Sequence, residues 1–257
     1  MAMRRASAPA PARPVVEVVL VVAVVLLGSC VGGGRAALLK AHFYRHSCPA
    51  AEVVVRDIVL ARVAADPAVL PARLLRLFFH DCFVRALSNL PRPSDNFTAL
   101  EVNFANKGLD VKDLVILSGA HTIGVGHCNN FGARLFNFTG AAAPSADPTL
   151  NAAYATQLRS TCGSPSNNAT TVPMDPGSAA RFDAHYFVNL KLGRGLFQSD
   201  AALLTDRRAA ALVHSLTCQD YFLQEFKNAV RKMGRVGVLT GDQGEIRKNC
   251  RVVNGGD

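Results

Sequence analysis

Leu75-Arg76-Leu77-Phe78-Phe79-His80-Asp81-Cys82-Phe83 is the stretch on which the reading of this 257-residue chain turns. It is mostly apolar, yet Arg76 and His80 stand four residues apart and so project from one face of a helix. Polar groups on an apolar face cost free energy unless they are partnered. Two readings fit these residues. Either His80 is a satisfied core histidine beside an arginine that reaches water, or the pair is turned toward a chemical site. The periodicity predicts a helix from about Ala68 through Leu74, Leu77, Phe78 and Phe83. Before it, Pro49 and Ala50 open a helix with Val53, Val54, Ile58, Val59 and Val63 at helical spacing as far as Asp66.

Downstream, helical spacing recurs over Asn96–Asn106, ending at Gly108, and over Asp110–Leu117, ending at Ser118-Gly119. Further helices are predicted over Gly124–Phe136, Thr149–Ser160, Arg181–Gly193, Arg207–Leu216 and Gln219–Met233. Loops rich in Gly, Pro, Ser and Asn separate them, notably Thr139–Pro148 and Gly163–Ser178. Strands find little support, so the fold class is all-α, or mainly α. Two more places carry chemistry. In Leu117-Ser-Gly-Ala-His121-Thr122-Ile-Gly124 a helix ends at glycine and is followed at once by a histidine, which is either a turn residue or a ligand. Asp175, Ser178 and Asp183 offer hard oxygen atoms of the kind calcium takes, although two acids in one loop are more often simply solvated.

The formal net charge is +9. The N-terminus has Arg4, Arg5 and Arg13, then an apolar run from Val18 to Leu27 and small residues around Gly32–Ala37. This is the pattern of a secretory signal over residues 1–36, with the run too short for a membrane span; the rival reading is a signal anchor over the nearly all-apolar Val15–Val31, which Glu17 and the short core disfavour. Removing it takes four arginines and one glutamate and leaves a charge of +6. The remaining charges are scattered without interleaved aromatics, so nucleic acid is excluded as a partner. Six cysteines stay: Cys48, Cys82, Cys128, Cys162, Cys218 and Cys250. An even number in an oxidising compartment points to disulfides whose connectivity spacing does not reveal, and no C-x-x-C pair suggests zinc or thiol redox chemistry. Asn96, Asn137 and Asn168 each begin a glycosylation tripeptide. His42 and His46, four apart, suggest a metal pair, but no third ligand stands at a telling spacing.

Taken together, the motifs resemble those of the class III plant secretory peroxidases. Leu75 to Val84 is similar to the distal haem motif of that family, and Leu117 to Gly124 to the proximal one. Phe43-Tyr44-x-x-Ser47-Cys48-Pro49, Asn89-Leu90-Pro91-x-Pro93, Gly195-Leu196-x-x-Ser199-Asp200 and Met233-Gly234 match further, as does Leu239-Thr240-Gly241-x-Gln243-Gly244-x-Ile246-Arg247-x-Asn249-Cys250-Arg251. The resemblance implies one peroxidase domain over residues 37–257, with haem b held between a distal and a proximal helix. It implies that His121 is the axial iron ligand, that Asp200 accepts its other ring proton, and that His80 and Arg76 are the distal base and cation. Phe79 would wall the pocket and Pro91 would seat a small phenolic donor. Hydrogen peroxide would be reduced while two donors each give up one electron, in hydrogen peroxide catabolism and the response to oxidative stress.

The resemblance also implies a proximal calcium site from Thr122, Asp175, Ser178 and Asp183, the start of a distal one from Asp81 and Val84, and a Cys128–Cys162 disulfide. It implies a secreted glycoprotein (extracellular, cell wall or vacuole), a monomer free of the membrane once the signal is cleaved. The chain departs from the family after Arg85, where it passes directly to Ala86-Leu87-Ser88-Asn89. The skipped segment carries the other distal calcium ligands, part of one wall of the haem cavity, and the partners of Cys48, Cys82 and Cys250. A second reading is therefore an impaired remnant of such an enzyme, produced by splicing or by a misjoined gene: a non-catalytic secreted glycoprotein.

Overall fold

The computed structural model describes residues 39–83, 90–140, 145–240, 243–245, 248–249, 252 and 254–255. The expected signal, Val84, Asn89, Cys250 and the junction at 85/86 lie outside them. The chain forms two compact units, one of residues up to Ala61 with those from Leu239 onward, the other of Arg62–Val238.

In the first unit a 3-10 turn, Phe43–Arg45, precedes helix α1, Ala51–Ala65, whose last turn belongs to the second unit. His42 has the left-handed backbone (φ 56°) that side chains rarely adopt. Its Nδ1 lies 3.1 Å from Glu52 Oε2. His42 therefore pairs with an acid. Among the described residues, no group of three or more His, Cys, Asp and Glu side chains is placed to hold a metal ion.

The second unit opens with α2, Leu70–Phe83, and continues with α3, Phe97–Ala105, and α4, Val111–Ser118. Asn96 Oδ1 caps α3 by accepting from Ala99 N at 2.9 Å. Asp110 and Asp113 cap α4 reciprocally, each carboxylate accepting the other's backbone N–H at 2.9 Å. Leu114, Val115, Ile116 and Leu117 are all buried. A run of four consecutive apolar residues covers every face of a helix turn and belongs inside a protein, and α4 is the centre of the larger core. Around it stand α3, α9 (Arg207–Ser215) and α10 (Gln219–Met233). Helix α7, His185–Lys191, packs on α9 and on the 3-10 turn Gly119–Thr122 that follows α4.

A smaller core gathers around α5, Gly132–Phe136, and α6, Ala152–Cys162, with Leu135, Tyr154, Leu158, Leu196 and Phe197 buried. Cys128 and Cys162 are joined within it, their Cα atoms 5.7 Å apart. This is the pairing the resemblance implied. Cys48, Cys82 and Cys218 are free thiols.

Several boundaries differ from the expectation. The segment read as one helix over Gly124–Phe136 is a strand, β1 (Val125–His127), a 3-10 turn (Cys128–Asn130) and the short α5. Gly124 at φ +97° breaks helical geometry at the outset. β1 then pairs antiparallel with β2, Thr171–Pro173, giving a small sheet that periodicity did not reveal. Gly132 packs so close to Pro165 that a Cβ would lie 2.1 Å from its carbonyl oxygen, which fixes where α5 begins. The helix expected from Arg181 starts only at His185, after Ala184, and the Asp183 carboxylate just before it accepts the His185 N–H at 3.0 Å. A short helix, α8 (Gln198–Ala202), carries no periodic signal and was not foreseen.

Candidate active site

All the site residues described below lie in the second unit. Helix α4 stops at Gly119, where a Cβ would come within 2.5 Å of Phe222 Cε2. Only a glycine lets the chain run this close to the aromatic core and turn. Two residues on, the 3-10 turn presents His121. Its Nδ1 lies 2.7 Å from Asp200 Oδ1. Phe197 and Tyr186 stand edge-on to the imidazole, with ring centroids 5.2 and 5.9 Å away.

Asp200 is almost wholly buried, at 1 % exposure. Its Oδ2 accepts the Phe197 N–H at 2.8 Å, and its Oδ1 accepts the Tyr186 hydroxyl at 2.8 Å as well as the His121 ring N–H. Burial alone pushes this carboxyl upward. The attraction and hydrogen bond of His121, with the Phe197 amide and Tyr186 hydroxyl, outweigh it and hold Asp200 below its ordinary range. An ionised carboxylate only accepts, so the proton sits on His121 Nδ1 and the Nε2 lone pair is left for another partner. Burial, then the Asp200 charge, raises the Tyr186 phenol well above its usual value, so this hydroxyl stays a donor.

Arg134 fixes the approach to Asp200. The guanidinium is buried and bonds Asp147 Oδ2 at 2.5 Å, Gly195 O at 2.5 Å, Leu196 O at 3.1 Å and Thr149 Oγ1 at 3.1 Å. Burial would raise Asp147, but the bonds from Arg134 and Thr149 hold it down. Ser199 N also donates to Pro93 O at 3.0 Å, which ties the Pro91–Pro93 stretch to α8.

On α2 the Arg76 Nε and His80 Nε2 atoms are 3.5 Å apart, at the outer limit of a hydrogen bond. The expected shared helical face is present. Burial first, and the Arg76 charge second, lower the His80 pKa, which favours the neutral imidazole and makes it a weaker base than a free one. Phe79 packs on Phe83 with centroids 4.4 Å apart and stands edge-on to His80 at 6.0 Å. Lys107 Nζ donates to Phe83 O at 3.1 Å and so holds the last residue of the helix. Pro91 is half-buried and Asp81 is exposed.

The four residues expected around calcium do come together. Thr122 Oγ1 lies 2.8 Å from Asp175 Oδ2 and 3.3 Å from Asp183 Oδ1, and Ser178 Oγ donates to Asp183 Oδ2 at 2.5 Å. The Arg181 carbonyl, 3.5 Å from Thr122 Oγ1, was not anticipated, since a main-chain oxygen leaves no trace in side-chain patterns. Nor were His185 and Asn189, which donate to Asp175 Oδ1 at 2.9 and 2.6 Å, or Tyr186. The single proton of Thr122 faces three acceptors, two of them carboxylates, and this donor set suits a hard cation.

A family model described as "Peroxidase" matches residues 84–219. The chain is similar to Peroxidase 39 of Arabidopsis thaliana, 36 % identical over 307 residues that cover 85 % of this chain and 93 % of the relative. Peroxidase 1 of Oryza sativa subsp. japonica is 36 % identical over 322 residues, covering 91 % and 98 %. Both alignments are longer than the chain itself, so these relatives carry internal residues that it lacks.

Proposed function

The chain belongs to the class III plant peroxidase family and is an enzyme of the peroxidase type, and on that premise we propose that it binds haem b between His80 and His121 and oxidises small phenolic donors with hydrogen peroxide. The observation that carries this reading is the His121–Asp200 bond at 2.7 Å. It fixes the imidazole as a directed ligand whose Nε2 suits ferric iron. When bound, the haem supplies the two-electron reduction of peroxide and the one-electron oxidation of each donor. The residues of the chain do the rest.

His80, whose pKa is lowered by burial and by Arg76, would take a proton from one peroxide oxygen and return it to the other, which leaves as water with the two electrons supplied by haem. Arg76 faces the charge that builds as the oxygen–oxygen bond breaks. Asp200 keeps the proton on His121 Nδ1 throughout. Phe79 excludes water from the distal face, and Pro91 meets the donor. Thr122 is the residue after His121, so a calcium ion held by Thr122, Asp175, Ser178 and Asp183 would brace the turn that presents the ligand.

Secretion fits this reading through the disulfide and through three exposed acceptors, Asn96, Asn137 and Asn168. Among the described residues no helix is long and apolar enough to cross a membrane. Nothing in the comparisons favours a non-catalytic remnant over an enzyme. The deciding experiment refolds the full chain under oxidising conditions with haem and calcium. A histidine-ligated absorption band and peroxide-dependent oxidation of a phenol are expected, and both should be absent from His121→Ala. A wild-type chain that takes up no haem would overturn the proposal.

A further inference from the structure

We infer that Tyr186 is a positioning residue that sets how strongly Asp200 pulls on the ring proton of His121, and through it how strongly His121 donates from Nε2. The inference rests on His121 being the iron ligand and adds a control on its strength.

The geometry is specific. Tyr186 OH and His121 Nδ1 converge on the same carboxylate atom, Asp200 Oδ1, at 2.8 and 2.7 Å. The other oxygen is already taken by the Phe197 amide at 2.8 Å. Two donors on one oxygen share its negative charge, so each bond is weaker than it would be alone. If the tyrosine hydroxyl is removed, the charge on Oδ1 falls to His121 alone. The Nδ1–H bond then tightens and the imidazole gains anionic character, which makes Nε2 a stronger donor. With the hydroxyl present, that donation is held back.

The site is built to keep this arrangement. Tyr186 is 1 % exposed and its ring is fixed edge-on between His121 and Phe187, with centroids 5.9 and 5.0 Å away. No water is needed to complete the contact, and the low-dielectric surroundings strengthen each bond. Tyr186 and Asp200 lie on separate helices, α7 and α8. The lead into α8 is held by the buried Arg134 through Gly195 O and Leu196 O, so the carboxylate cannot readily swing away from either donor.

The test uses the full chain, first without haem and then loaded. In the haem-free protein the proton NMR resonance of His121 Nδ1–H should move downfield in Tyr186→Phe, which keeps the ring and its packing. Placing 3-fluorotyrosine at position 186 strengthens the donor and should move the resonance upfield. This opposite response also keeps the inference testable if Tyr186→Phe does not fold. In the loaded ferrous protein the iron–histidine stretching frequency should rise in Tyr186→Phe and fall with fluorotyrosine. Resonances and frequencies unchanged in both variants would overturn the role of Tyr186 and leave the haem reading intact. A wild-type chain with no iron–histidine band would sink the haem reading instead, while the haem-free resonances would still decide the hydrogen-bond claim.

Discussion

His121 is held at 2.7 Å by a carboxylate that is itself buried and triply bonded, whereas His80 is met by Arg76 at 3.5 Å from the preceding turn of the same helix. Around His121 three segments meet at one point: the turn after α4, α7 and α8. Of the residues of α2, only Phe83 is buried, and Leu77, one position after Arg76, is 67 % exposed. The two sides illustrate two ways of placing a functional side chain. One is by tertiary enclosure, where partners distant in sequence lock a rotamer. The other is by helical spacing, which sets direction and leaves the surroundings open. The shortening of this chain relative to its relatives bears on the second side, since the expected junction follows directly on α2.

This contrast can be broken most directly at the ligand. His121→Ala should abolish haem uptake, read as loss of the absorption band, while His80→Ala should bind haem as the wild type does. Equal uptake in the two variants would erase the distinction. Next in size, His80→Leu should slow the peroxide reaction by about 10²–10⁴-fold, the usual worth of a general acid–base group, as measured by stopped-flow mixing. Asp200→Asn alters the accepting partner without emptying the space and should lower haem affinity or turnover by about 10–100-fold, the range typical of groups that orient a metal-bound histidine. The smallest effect concerns pH. Because burial and Arg76 both lower the His80 pKa, the peroxide step should persist on the acid side of 6.5 and fail only as His80 takes up a proton below that. Arg76→Leu removes the second cause and should move the inflection upward toward 6.5, a shift visible in the pH profile of the peroxide step.

How much of this was legible in the sequence differs between the two sides as well. Arg76 and His80 were readable together because four-residue spacing on one helix is a local fact. His121 and Asp200, 79 residues apart, were joined only by family resemblance, and nothing in the spacing carries that distance. The oxygens expected around calcium and the Cys128–Cys162 bridge were likewise placed by motif. What stayed hidden was set by contacts. Gly124, Gly126 and Gly132 look like loosely helical residues until Pro165 and Phe197 are brought against two of them. Helix α8 is five residues long, too short for a period to show. Tyr186 and Arg134 read as an ordinary aromatic and an ordinary surface charge, and only their enclosure gives them partners.

Arg134 has a consequence for the rhythm with which the protein opens. Its guanidinium joins the segment that bears it, the Asp147–Thr149 turn and the Gly195–Leu196 stretch of main chain, so none of the three can detach without stripping a buried cation of its acceptors. Local fluctuations that fray helix ends should therefore be suppressed here. In amide hydrogen exchange, the protons of Asp147 (bonded to Arg134 O) and of Phe197 (bonded to Asp200 Oδ2) should be lost together as one slow class, well after that of Ala99 at the exposed start of α3. Arg134→Met should split the class and release Phe197 first. The lifetime of the bond beneath His121 would then be governed by an arginine that never touches it.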